Sequence, residues 1–331
     1  TALTILATLI IAAQARDWPQ WRGPFLNGST DDPNLPDTWS KTENVKWVCP
    51  LPGPGAATPV ICNGKIYLTS TDKESRDLLA LCFDEKEGRE LWRKKLGASR
   101  EDWPRNNMAS PSAAADGEHV YFLFGSGDLA GLDYAGNILW QRNIEQEYGN
   151  LANMFGYSSS PFLYQNIVYI LVLRRHTPYR DPQSDKPLNS FLLALDKMTG
   201  KELWLHQRDT DAKEESLETY TTPIVHTVNG KDEIIIFGGD HLTGHDSQTG
   251  QELWRYGYST DRKRIDWRTI PTPIAAEGLI FASRPKNNGL LALKTGLTGA
   301  VTDEAVAWQF EKFNPDCSTP LYYDGLLYVL D

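Results

Sequence analysis

Several residue groups in this 331-residue chain have types and spacings that chemistry uses. His241 and His245 stand four apart, a spacing that lets two imidazoles share a metal ion when both lie on one face of a helix. Their surroundings read as a turn and a strand, where four residues span roughly 13 Å, too far for one ion. The Asp-x-x-Thr-Gly runs at Asp196 to Gly200 and Asp246 to Gly250 offer the oxygens of a calcium loop but lack its alternating carboxylates. They read as turns, in which Asp accepts backbone N–H groups and Gly supplies positive φ. Gly125-Ser126-Gly127-Asp128 and Ser158-Ser159-Ser160 supply hydroxyls, yet no Gly-x-Ser-x-Gly elbow is present. Asn27-Gly28-Ser29 is a glycan acceptor only in a eukaryotic secretory route. Cys49, Cys62, Cys82 and Cys317 contain no Cys-x-x-Cys pair, which excludes the zinc and thioredoxin patterns. An oxidising compartment would allow one pair to form, and buried single thiols are the simpler expectation. No catalytic residue and no metal ligand is assigned.

Binding candidates lie in long polar insertions. Arg174-Arg175-His176-Thr177-Pro178-Tyr179-Arg180-Asp181 concentrates three Arg and a Tyr, groups suited to carboxylates or sugars. Arg105-Asn106-Asn107 and Arg284 occupy corresponding insertions. The candidate binding residues are therefore Arg105, Asn106, Arg174, Arg175, Tyr179 and Arg284. Trp103, Tyr179 and Trp267 would be the stacking platforms of a carbohydrate-binding or carbohydrate-processing alternative.

A repeat positions these insertions. A phrase of the form Leu-x-Ala-Leu-Asp, then a turn and Glu-Leu-Trp, ends at Trp92, Trp140, Trp204, Trp254 and, in degraded form, Trp308. A second phrase precedes each, with prolines at 59, 111, 161, 223, 273 and 320, spaced by 52, 50, 62, 50 and 47 residues. A period near 50 with four strand-like segments per unit predicts propeller blades. Within each blade, strand A follows the proline, and an Asn-Gly or Asp-Gly turn such as Asn63-Gly64 leads into strand B. Strand C is the Leu-x-Ala-Leu-Asp phrase, and strand D ends in a Trp large enough to fill the wedge between blades. Trp47, Trp92, Trp140, Trp204, Trp254 and Trp308 are thus one structural position, with Val45 to Val48 reading as an orphan strand D.

In a four-stranded meander the A–B and C–D turns share one face, and the B–C and D–A connections the other. The first set is tight. The second is long, at 97–109, 145–158, 174–190, 209–220, 257–270 and 284–289, and is the face expected to carry function. These segments hold 13 Lys+Arg and 13 Asp+Glu, so the net charge of −10 lies elsewhere and the face carries no steering field. The acidic balance argues against nucleic acid as a partner. With 40 % hydrophobic residues, 11 Trp, 14 Tyr, 26 Gly and 20 Pro, the chain reads as globular and all-β.

Residues 1–15 form an uncharged apolar run ending Ala13-Gln14-Ala15, which reads as the core and cleavage site of a signal peptide lacking its charged start. Residues 16–44 read as an N-terminal extension and 45–331 as the propeller. The chain stops after strand B of the sixth repeat, so a complete ring of seven or eight blades needs on the order of 70 to 120 further residues. No integral membrane segment is expected once the signal is removed.

The signature at 194–204, echoed at 244–254, resembles the pyrroloquinoline-quinone-like (quinoprotein-type) repeat propellers over roughly residues 57–331. Asp17-Trp18-Pro19-Gln20-Trp21-Arg22-Gly23-Pro24 looks like the mature start of exported bacterial members, similar to the outer-membrane assembly propeller lipoproteins. The resemblance implies an incomplete propeller of four-stranded antiparallel blades, exported to the periplasm or beyond. Its dehydrogenase branch would bring the quinone with calcium, a vicinal Cys pair, a Trp beneath the quinone and an Asp base. No two Cys are adjacent here, and Asp102-Trp103 and Asp266-Trp267 are only distant echoes, so no cofactor is expected. The expected function is a non-catalytic interaction scaffold that meets a protein or envelope polymer on its long-loop face or an edge strand. A quinone-dependent dehydrogenase and a carbohydrate propeller are the alternatives.

Overall fold

The computed structural model describes residues 17–100, 105–151, 153–179, 184–259, 265–286, 288–312 and 315–330. The signal-peptide run, Trp103, Arg180 and Asp181 lie outside them. Five antiparallel sheets of A-B-C-D order stand in sequence, followed by a two-stranded hairpin. Blade 1 is Val60–Cys62, Lys65–Thr71, Asp77–Asp84 and Glu90–Ala98. Blade 2 is Ala114–Ala115, His119–Leu123, Asp128–Asp133 and Ile138–Asn143. Blade 3 is Phe162–Tyr164, Ile167–Val172, Phe191–Asp196 and Glu202–Gln207. Blade 4 is Ile224–Val228, Lys231–Gly238, His241–Asp246 and Glu252–Gly257. Blade 5 is Ile274–Ala276, Leu279–Ser283, Leu290–Lys294 and Val306–Phe310. The hairpin Leu321–Tyr323 and Leu326–Tyr328 supplies strands A and B of blade 6. Among the described residues no helix is long and apolar enough to cross a membrane. The all-β propeller fold expected from the repeats is present.

Strands B and C are buried on both faces, as their Leu, Ile, Val and Tyr content requires. The core is therefore a series of layers between neighbouring blades. Tyr67 and Cys82 of blade 1 meet Val120 and Phe122 of blade 2. Tyr169 and Leu171 of blade 3 meet Ile234 and Ile236 of blade 4. Each blade touches chiefly its neighbours, so stability accumulates pairwise, as in other repeat proteins.

The tryptophans set the wedge in two ways. In each of blades 1 to 5 the strand D Trp sits opposite a small strand C residue, with a register shift immediately after it. The pairs are Cys82 with Trp92, Gly131 with Trp140, Ala194 with Trp204, Gly244 with Trp254 and Ala292 with Trp308. Across the blade boundary, Trp47, Trp92, Trp140 and Trp204 cover Gly88, Gly136, Gly200 and Gly250 in the next blade's C–D turn, where a Cβ would strike the indole. Trp47, Trp92 and Trp140 also donate their indole N–H to Glu85 O (3.0 Å), Tyr134 O (3.3 Å) and Lys197 O (2.8 Å) in that turn. Trp47 thus takes the expected strand D position on blade 1, although Val45 to Val48 form no ladder among the described residues.

Two tryptophans depart from the pattern. The fifth repeat lacks the Asp-x-x-Thr-Gly turn. Its C–D connection instead lays Gly299–Val301 parallel to strand D of blade 4 as a fifth strand. Trp254 donates to Glu233 Oε2 of its own blade (2.8 Å). Trp308 remains 39 % exposed against Phe281.

Candidate functional site

The long-loop face is built on the starts of the strand A segments. Thr58, Ser112, Ser160, Thr222, Thr272 and Thr319 are equivalent, each two residues before the first strand A residue of its blade. Blade 2 differs in sequence, because Pro111 precedes Ser112 where elsewhere the hydroxyl residue precedes the proline. The six are laced together. Thr58 N–H donates to Ser112 Oγ (2.9 Å), Ser112 N–H to Ser160 Oγ (3.0 Å) and Ser160 N–H to Thr222 Oγ1 (3.0 Å). Thr222 N–H then donates to Thr272 Oγ1 (3.2 Å), and Thr272 N–H to Thr319 Oγ1 (3.0 Å). Strand A is the inner edge of every blade, so its outward N–H and C=O groups would otherwise lack partners.

Residues 17–28 meet the same need further along these strands. Trp18 N–H and C=O pair with Ile61 of blade 1 at 2.8 and 3.0 Å, and Ala115 N–H of blade 2 donates to Pro19 O (2.8 Å). The Gln20 amide answers both backbone groups of Leu163 in blade 3, at 3.2 and 2.9 Å. Trp21 Nε1 donates to Thr272 Oγ1 of blade 5 (3.3 Å), and Arg22 Nη2 donates to Pro320 O of blade 6. Leu26 packs into the layers on both sides of blade 4. The Asp-Trp-Pro-Gln-Trp-Arg stretch is therefore a plug through the middle of the blades. No periodicity could reveal this, because the stretch is not part of the repeat.

Above the plug lies a cavity of about 380 Å³. Trp21 and Arg22 line it with Ser112, Ser160, Thr222 and Thr272, and Asn106, Tyr220 and Cys317 stand toward the loops. Burial lowers the Arg22 pKa to about 10, which leaves it cationic at neutral pH.

Around the mouth, Phe155 lies between two guanidinium groups, Arg105 at 5.9 Å and Arg268 at 5.0 Å from its ring centre. Arg268 binds Glu215 (2.7 Å) and Asp316 (3.1 Å), joining three connections. Glu218 is fully buried and holds the other side. It pairs with Arg175, accepts Tyr220 O–H (2.7 Å) and accepts Met154 N–H (3.0 Å). Burial raises the Glu218 pKa despite these bonds, and burial followed by the Glu218 charge raises that of Tyr220. Arg175 also spans Tyr179, which remains 45 % exposed.

The sequence candidates therefore divide. Arg105, Asn106, Arg175 and Tyr179 belong to the mouth, with Asn106 donating to Gly156 O (3.3 Å). Arg174 does not. It is 1 % exposed and donates to Asn189 O (3.1 Å), Gly149 O (2.6 Å), Asn150 O (2.7 Å) and Tyr148 O (2.7 Å) at the end of the short helix Ile144–Tyr148. Arg284 is also buried, 9 % exposed. Trp267, a proposed stacking platform, is 4 % exposed and offers no open face. Glu215, Glu218, Tyr220 and Arg268 were missed, because nothing in their spacing marks them as partners.

The other chemical groups have local explanations. In the Asp196 turn the carboxylate accepts Thr199 N–H (2.8 Å) and Thr199 O–H (2.7 Å), and the hydroxyl bond holds its pKa down. His206, His245 and Glu252 come close enough to suggest a metal set. His245 Nδ1 contacts Gly250 O (3.1 Å) and Nε2 contacts Thr243 Oγ1 (2.9 Å), while Arg255 holds Glu252 at 2.7 and 2.8 Å. With Nδ1–H given to Gly250 O, the His245 Nε2 lone pair takes the Thr243 hydroxyl, so His245 and Glu252, two of the three groups, are already engaged. All four cysteines are free thiols, and burial raises Cys62 to about 11 and Cys82 to about 12.

The quinone implied by the fold family fails a direct test at the cavity. It is a polycarboxylate accompanied by a cation that needs oxygen ligands. The described lining contains one cationic side chain, Arg22, and neither Asp nor Glu. The residues present do not fit that pair.

A family model described as outer membrane protein assembly factor BamB matches residues 35–177 and 186–331. Among solved structures, BamB from Moraxella catarrhalis superposes with a TM-score of 0.53 at 14 % identity, over 86 % of this chain and 69 % of that one. Quinohemoprotein alcohol dehydrogenase from Comamonas testosteroni gives 0.55 at 13 % identity, over 92 % and 51 %. A europium-containing methanol dehydrogenase gives 0.52 at 12 % identity, over 77 % and 50 %. The chain spans about half the length of these dehydrogenases, and identities this low show the fold alone. No curated protein matches by sequence. The blades, their tryptophan wedges and the family match together place the chain in the PQQ-like repeat β-propeller family described as outer membrane protein assembly factor BamB.

Proposed function

We propose that the chain is an exported, non-catalytic binding scaffold of the bacterial cell envelope, meeting a protein or envelope-polymer partner on its long-loop face. The observation that carries this reading is the pairing of the loop charges with one another. Arg175 with Glu218, and Arg268 with Glu215 and Asp316, fix four connections, and among the described residues the cavity lining holds no Asp or Glu. What such a rim offers is Tyr179, Arg105 and Phe155 on rigid supports, the residue types that anchor protein interfaces. Family membership supports a role in assembly, and the poor fit of the quinone argues against the dehydrogenase alternative. The burial of Trp267 removes one platform of the carbohydrate alternative.

The test uses the full-length protein with a photo-crosslinking residue at Tyr179, at Arg105 and, as a control on the tight-turn face, at Glu87. Crosslinks to one partner from the first two sites and none from Glu87 support the scaffold. Stoichiometric uptake of pyrroloquinoline quinone with Ca²⁺, accompanied by alcohol oxidation, would overturn it.

A further inference from the structure

We propose that the axial cavity is a receptor for one carboxylate group. Its wall is one-sided in the direction of its hydrogen bonds. Ser112, Ser160, Thr222, Thr272 and Thr319 each use an oxygen lone pair to accept the preceding blade's N–H, and none donates its O–H to an acceptor among the described residues. Thr272 Oγ1 accepts a second bond from Trp21 Nε1, so its hydrogen is the function it has left to offer. Each of these hydroxyls keeps its proton to donate, and Ser112, Ser160, Thr222 and Thr319 keep a second lone pair as well. At the floor, among the described residues, Arg22 bonds only through Nη2, to Asn27 O and Pro320 O, and its buried Nε has no partner.

The described lining includes no Asp or Glu, and the Asn106 carbonyl oxygen already accepts Asn107 N–H and Ser110 O–H. A metal cation would find no anionic ligand there, and a neutral sugar hydroxyl would leave the Arg22 charge unanswered. A carboxylate needs several donors and one balancing charge, which the hydroxyls and Arg22 supply. A phosphate dianion would call for a second cation. The group could come from a small acid or from the free carboxyl end of a peptide. Neither source requires the scaffold reading, so the two proposals fail separately.

Calorimetric titration of the intact protein with acetate, acetamide, and one short acetylated peptide in free-acid and amidated forms tests the assignment. Saturable binding of acetate or the free-acid peptide is expected, at least tenfold tighter than the matching amide. Arg22→Gln should weaken it tenfold or more, Thr222→Val three- to tenfold, and Thr222→Ser less than twofold. Tighter binding of the peptide than of acetate assigns a chain end as the source, and equal or weaker binding assigns a small acid. Absence of saturable acid binding, equal binding of acid and amide, or an unchanged affinity in Arg22→Gln would each overturn the proposal. Should Arg22→Gln not fold, Arg22→Lys and the Thr222 pair carry the same decision.

Discussion

Trp140 of blade 2 lies over Gly200 of blade 3 and donates its indole N–H to Lys197 O at 2.8 Å, so one side chain both fills the wedge and satisfies the neighbouring turn. Gly200 has φ +66 and no room for a Cβ beneath the ring. Gly200→Ala should therefore combine left-handed strain with a clash and destabilise by about 2 to 4 kcal/mol. Gly230, at φ +75 with nothing within 4 Å of a Cβ, provides the control. Its alanine variant should lose only about 1 kcal/mol. Urea unfolding of the two variants checks the difference, and equal losses would contradict the wedge.

The plug makes a local prediction. Gln20→Ala removes both bonds to Leu163 and should cost about 1 to 2 kcal/mol. Amide hydrogen exchange should show Leu163 N–H losing protection at least tenfold, while Tyr67 N–H in blade 1 is unchanged. Unaltered Leu163 exchange would mean the plug is not seated in solution.

Arg174 should behave as structure and not as a binding residue. Arg174→Ala leaves four backbone carbonyls without their donor and is expected to cost about 3 kcal/mol. Arg105→Ala, at an exposed position, should stay within about 0.5 kcal/mol. Thermal melts distinguish the two, and a silent Arg174→Ala would return that residue to the binding candidates.

Asp240 makes folding depend on pH. Burial, then the neighbouring Asp211 charge, push its carboxyl up to about 7. Asp211 and His241 face it, and burial lowers the His241 pKa. An acid whose pKa is raised in the folded state binds a proton there that the unfolded chain releases. Its contribution therefore falls as pH rises from about 4 to about 7 and is constant above. Asp240→Asn, which tolerates the φ of 61° at that position, should be more stable than the parent by about 1 to 3 kcal/mol at pH 8, with the gap closing toward pH 4. Denaturant midpoints across that range measure it, and parallel curves would contradict it.

The sequence by itself determined the blades. Strand alternation, the Asp-x-x-Thr-Gly turns and the recurring Trp are short-range signals, repeated often enough to confirm one another, and they located the five sheets and the loop face. They also marked the fifth repeat as degraded, though not that its spare residues would become a fifth strand of blade 4. Only the tertiary structure decided which loop residues meet. Arg174 and Arg175 are adjacent in sequence, yet one is buried among carbonyls and the other pairs with Glu218 at the mouth, because a charged side chain's partner depends on which loops the ring brings together. The plug and the hydroxyl lacing were hidden for the same reason. They answer backbone groups along the inner edges of several blades, and those edges face one another only after the blades have been arranged about a common axis.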